Sequence, residues 1–130
     1  MSYLSDVALV LRKEVFDEME AKRQEKGIGV AFDGYELIDQ AGNTDGVNPV
    51  YVILKAKGVK WYKNDPDYFP EVRFVMDFLQ RDDISYHFIE IGEELNDIDV
   101  REQVVDEDKD IVSFIYVKRS IGQNRFNPRF

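Results

Sequence analysis

Ten carboxylates fall between Glu90 and Asp110, namely Glu90, Glu93, Glu94, Asp97, Asp99, Glu102, Asp106, Glu107, Asp108 and Asp110, opposed there only by Arg101 and Lys109. Acids at this density suit three chemistries: holding a divalent cation, facing a basic partner, or imitating the phosphate spacing of a nucleic acid. The plainest reading is a solvated loop kept exposed by its own repulsion. The functional reading is a protein-binding surface made of Glu93, Glu94, Asp97, Asp99, Glu102, Asp106, Glu107 and Asp108. Trp61 and Tyr62 would join it as rigid aromatic anchors of the kind that dominate interface hot spots. The same two rings, with Tyr68 and Phe69, could instead close the end of the hydrophobic core.

A second pattern, Pro66-Asp67 followed by Glu107-Asp108-Lys109, matches a metal-dependent nuclease spacing in which acids hold a divalent ion and the lysine helps activate water. Such acids should sit on adjoining strands, whereas Glu107 and Lys109 fall in the charged stretch, so a phosphodiester hydrolase is an alternative and not the preferred reading. A third set of residues is basic: Lys55, Lys57 and Lys60 on and after one strand, with Arg119 and Arg125 near the C-terminus. Together they could bind a small anionic ligand, such as a nucleotide signal, in a homodimer groove.

Other chemistries lack their residues. The chain has no cysteine and a single histidine, His87, which excludes disulfides, thiolate nucleophiles, cysteine-based zinc sites and any two-histidine metal site. His87 is in phase with Ile89 and Ile91 and reads as a structural strand residue. Gly27-Ile-Gly29 follows a helix and has Phe32 where a dinucleotide fingerprint needs glycine. Around Asn43-Thr-Asp45-Gly46 a calcium loop would need ligands at Ala41 and Val52, which cannot coordinate. These absences lead us to expect a protein without cofactor or metal that acts by binding rather than by catalysis.

The elements that must position these residues follow from periodicity. Residues 7–11 alternate as a strand and run into a helix ending near Lys26, with Glu14, Asp17 and Glu18 early, Lys22, Arg23 and Lys26 late, and Gly27 as its stop. Ile28, Val30 and Phe32 alternate as a second strand, with Gly34 a bend before residues 35–39. Residues 50–57 give a third strand. Pro70 opens a second helix, apolar on two sides through Val72, Val75, Met76 and Leu79 and through Phe74 and Phe78. Residues 84–91 form a fourth strand, 93–110 a charged connection, and 111–117 a fifth strand apolar on both faces. The order β-α-β-β-α-β plus one extra strand predicts an α+β fold of the ferredoxin-like split βαβ type, a mainly antiparallel sheet with two helices on one face.

With 130 residues, 44% hydrophobic and 33% charged, the chain is expected to form one domain over residues 1–121, followed by a basic tail over 122–130 with Phe126 and Phe130 as aromatic anchors. The formal net charge of −9 opposes direct nucleic-acid binding. Lys118, Arg119, Arg125 and Arg129 make the end of the chain basic, which suits docking onto the acidic body or pairing in a homodimer. No apolar run reaches the roughly 20 residues that span a bilayer, and the first residues lack the pattern of a signal peptide, so a cytoplasmic location is expected.

The strings Val59-Lys-Trp-Tyr62, Pro70-Glu-Val72, Phe78-Leu79, Ile91-Gly-Glu93 and Asn96-Asp-Ile98 together resemble a pattern found in small accessory proteins of tailed bacteriophages and prophages. The resemblance spans about residues 5–121 and excludes 27–48. It implies a protein made in the cytoplasm of an infected cell. By analogy with that class, the expected role is to bind and inhibit a host or defence protein with a basic surface, through the acidic segment.

Overall fold

The computed structural model describes residues 4–39, 49–61, 69–94, 97–105, 108–120 and 123–127. β1 (Ser5–Arg12) runs without a loop into α1 (Lys13–Glu25), and β2 (Gly34–Asp39), β3 (Val50–Val59), α2 (Pro70–Phe78), β4 (Tyr86–Ile91) and β5 (Ile98–Gln103) follow. After a 3-10 turn at Lys109–Val112 come β6 (Tyr116–Ser120) and β7 (Gln123–Asn127). The five strands β2-β3-β1-β4-β5 form one sheet in that spatial order, every pair antiparallel, and β6 and β7 form a separate hairpin. Among the described residues the fold is therefore α+β, with two α-helices on a five-stranded antiparallel sheet.

β1 is central because both its faces are apolar: Val7, Leu9 and Leu11 point one way, Ala8 and Val10 the other, and all five are fully buried. Leu9 lies opposite Leu54 on β3 and Phe88 on β4. This side forms the larger core, shared with Phe16 and Met19 of α1 and with Val72, Phe74, Val75, Met76 and Phe78 of α2, so both helices lie on one face. The two apolar sides of α2 also have a local explanation. Lys26 Nζ, just past the end of α1, stands 5.8 Å from the Phe74 ring centroid and Lys22 Nζ of α1 5.8 Å from that of Phe78, so lysine ammonium groups also stand over these two aromatics.

The opposite face of the sheet is covered as well. Ala8, Val10, Tyr51, Ile53, Ile89 and Ile91 share a second core with Ile111, Ile115 and Phe126. Here the expected element order needs correcting. The fifth strand of the sheet is Ile98–Gln103, within the stretch read as a charged connection, whereas residues 111–117 contribute a 3-10 turn and the start of the hairpin. Apolar residues on both sides of 111–117 arise because Ile111 and Ile115, four apart, both turn into the second core. Residues 123–127, within the segment read as a tail, form β7, and Phe126 is buried in that core.

The second strand is also displaced. Residues 28–32 alternate in polarity but form no strand, and the chain pairs with β3 only from Gly34 onward. The cause lies at the end of α1. Gly27, at φ 68°, donates to the Gln24 carbonyl and Ile28 to the Arg23 carbonyl, both at 3.1 Å, a Schellman cap that throws the chain across the helix end. Asp33 then catches β3, donating its N–H to the Lys55 carbonyl (2.7 Å) and accepting from the Lys57 N–H (3.0 Å).

Candidate functional site

The capped segment roofs a cleft. Phe16, Met19, Glu20 and Arg23 recur at helical spacing along one face of α1, and Glu71, Phe74 and Val75 do the same on α2. Leu54 of β3 forms the floor, and residues 29–32 with Gly34 and Tyr35 close the remaining side around a cavity of about 190 Å³. Its walls are mostly apolar and four of its side chains are aromatic: Phe16, Phe32, Tyr35 and Phe74. The Phe16 and Tyr35 rings meet at 5.2 Å, and Phe32 leans on Trp61 at 5.4 Å. Val30 and Tyr35 line the cavity yet are 62% and 60% exposed, so it is reached from solvent.

Three charges stand around it. Arg23 binds Glu20 through Nε and NH2 (NH2 to Oε2, 2.8 Å) and gives NH1 to the Ile28 carbonyl at 2.8 Å. The hydrogen bonds to Glu20 raise the Arg23 pKa further above its ordinary value, so the guanidinium stays charged and fixes the roof to α1. Glu71, half-buried in the first turn of α2, makes neither an ion pair nor a side-chain hydrogen bond among the described residues.

The residues singled out from sequence lie elsewhere. Glu93 and Glu94 are exposed in the turn after β4, Asp97 is exposed before β5, and Asp99 and Glu102 are on β5. Several are engaged internally: Glu93 accepts the Leu4 N–H at 2.9 Å, and Asp99 pairs with Arg101 at 3.2 Å. Asp108 departs from the expected outward surface. It is buried, and its Oδ1 accepts from Arg12 Nε (2.7 Å) and from the Tyr51 hydroxyl (2.9 Å), because the 3-10 turn that follows must sit over the second core. Trp61 is likewise not a surface anchor: at 3% exposure it belongs to the larger core between Phe32 and Phe88. Tyr62, Asp106, Glu107, Asp67, Tyr68, Phe130, Arg129 and the 43–46 turn lie outside the described residues.

The basic set does not converge on the cleft. Lys55 pairs with Glu36 at 3.5 Å on the strand face opposite the helices, Lys57 and Lys60 are exposed at the end of β3, and Arg119 and Arg125 belong to β6 and β7. Lys109 is in the 3-10 turn. No cluster of three or more histidine, aspartate or glutamate side chains suited to a metal ion occurs among the described residues. His87 is buried facing the second core, its Nδ1 without a partner among the described residues and its Nε2 3.9 Å from Glu102. Burial lowers its pKa, against a smaller opposing pull from Glu102, which favours the neutral imidazole.

The cleft itself is not among the sites expected from sequence. Its α1 and α2 residues read as ordinary core stripes, and its roof reads as a strand. The available signal is Arg23, a basic residue three after Glu20 and four before a glycine stop, which can bind both the acid and the carbonyl beyond the stop. Fold and cleft together define an α+β protein with an apolar, aromatic-walled recess on its helix side. Comparison with protein-family models, with curated proteins and with solved structures gives no match.

Proposed function

We propose that this protein is a non-enzymatic binding module that admits a small, largely apolar ligand to the cleft between α1, α2 and residues 29–35. The observation that carries this reading is the recess itself, aromatic on several sides, open past Val30 and Tyr35, and held open by the Arg23 bridge to Glu20 and Ile28. Its volume of about 190 Å³ is below the ~300–1,000 Å³ of drug-sized sites, which points to a fragment-sized occupant. The strand order β2-β3-β1-β4 with both helices on one face supports a ferredoxin-like split βαβ assignment, to which β5 adds an edge. The test is a thermal-shift screen of small aromatic and aliphatic compounds, since a ligand that binds the folded state alone raises the melting temperature. Hits should lose their effect in Ala31→Trp, which fills the recess. A screen without hits, or hits indifferent to that substitution, removes the reading.

A second reading rests on a different observation, the exposure of Glu93, Glu94 and Asp97 around the β4–β5 turn. In it that turn meets a basic surface on another protein, in line with the accessory-protein resemblance and the inhibitory role it implies. Association would then be salt-sensitive. Capture experiments from bacterial lysate comparing the native chain with E94K/D97K test it: a specific partner retained equally by both chains counts against it.

A further inference from the structure

Building on the cleft reading, we propose that its occupant is a small organic cation, an alkylammonium with an apolar body. The charges around the recess do not balance. Among the charged side chains that line it, Glu20 is matched by Arg23, whereas the half-buried Glu71 carboxylate has no partner among the described residues, so the lining carries one excess negative charge beside an apolar wall, with the Lys26 ammonium over Phe74 outside that lining. The α2 N-terminus explains why a carboxylate is tolerated there but supplies no donor to it. An anionic ligand would find Arg23 already engaged by Glu20 and Ile28. A cation finds both kinds of stabilisation it needs: a carboxylate, and aromatic faces whose quadrupoles attract positive charge. Phe74 already holds an ammonium in this way, Lys26 Nζ at 5.8 Å, while Phe16, Phe32 and Tyr35 hold no cation among the described residues.

The test uses the full chain, labelled for amide NMR, and three probes of similar shape: choline, its neutral carbon isostere 3,3-dimethylbutan-1-ol, and the anion 3,3-dimethylbutanoate. Choline should shift the amides of residues 29–32 and Phe74 and bind about tenfold more tightly than the isostere, with the anion weakest. E71Q should weaken choline by about tenfold and leave the isostere unchanged. Should E71Q fail to fold, Y35L removes a π face while keeping apolar bulk, and should weaken choline alone. Equal affinities for choline and the isostere would overturn the cation assignment and leave the cleft reading intact. If none of the three probes moves the lining amides, both fall.

Discussion

The Asp108 carboxylate ties the 3-10 turn to two strands at once, through Arg12 at the end of β1 and Tyr51 on β3. Removing it in Asp108→Ala would strand a buried phenol and a half-buried guanidinium, and should lower unfolding free energy by about 2–4 kcal/mol in urea titrations. Asp108→Asn should cost less, because one acceptor remains. Tyr51 supplies a pH signature. Burial first, and then its hydrogen bond to Asp108, push its pKa up to about 12. The folded state therefore keeps the phenol proton after the unfolded chain, at about 10, has released it. The stability from this residue is whole below about pH 10 and drains away as pH rises toward about 12. Tyr51→Phe should flatten that part of the stability profile, and an unchanged slope would count against the assignment. None of this is legible in the sequence. Asp108 stands in a run of acids that reads as uniformly exposed, and Arg12, its partner, is 96 residues away.

Elements were legible where local signals agreed. Charge placement and Gly27 delimit α1, Pro70 opens α2, and alternation in β3 gives which of its residues share a face. β5 was obscured because Asp99, Arg101 and Glu102 dilute a genuine alternation of Ile98 with Val100, as suits an edge strand that discourages further pairing. Residues 28–32 mislead in the opposite sense, their alternation serving a roof and not a ladder. The glycine that creates this roof makes a specific prediction. A Cβ at Gly27 would meet nothing within 4 Å, so Gly27→Ala should pay only for the left-handed backbone, about 1–2 kcal/mol. It should also weaken ligands of the cleft by loosening Ile28 from Arg23. Gly27→Asn, more tolerant of positive φ, should recover part of both losses, and chemical denaturation with parallel ligand titration reads the two effects.

For the molecule as a whole, the sheet has apolar cover on both sides, and the second cover comes from the last part of the chain. Phe126 is 2% exposed there, with Ile111 and Ile115 fully buried. Phe126→Ala should therefore destabilise the whole domain by about 3–5 kcal/mol, in one cooperative transition and not as fraying of a tail. A loss below about 1 kcal/mol in thermal or urea unfolding would show the hairpin to be dispensable. The general class and the helix side of the sheet were legible because their partners recur with regular spacing. The hairpin side was not, because Arg, Asn and Gln around Phe126 give it the composition of an exposed end.

The burial of β1 on both faces has a bearing on how the chain is made. During synthesis the residues that cover Val7, Leu9 and Leu11 leave the ribosome by about position 90, whereas Ala8 and Val10 wait for partners out to Phe126. For that interval the nascent sheet presents an apolar surface rich in isoleucine, the kind of surface that holdase chaperones grip and that neighbouring polysomal chains can stick to.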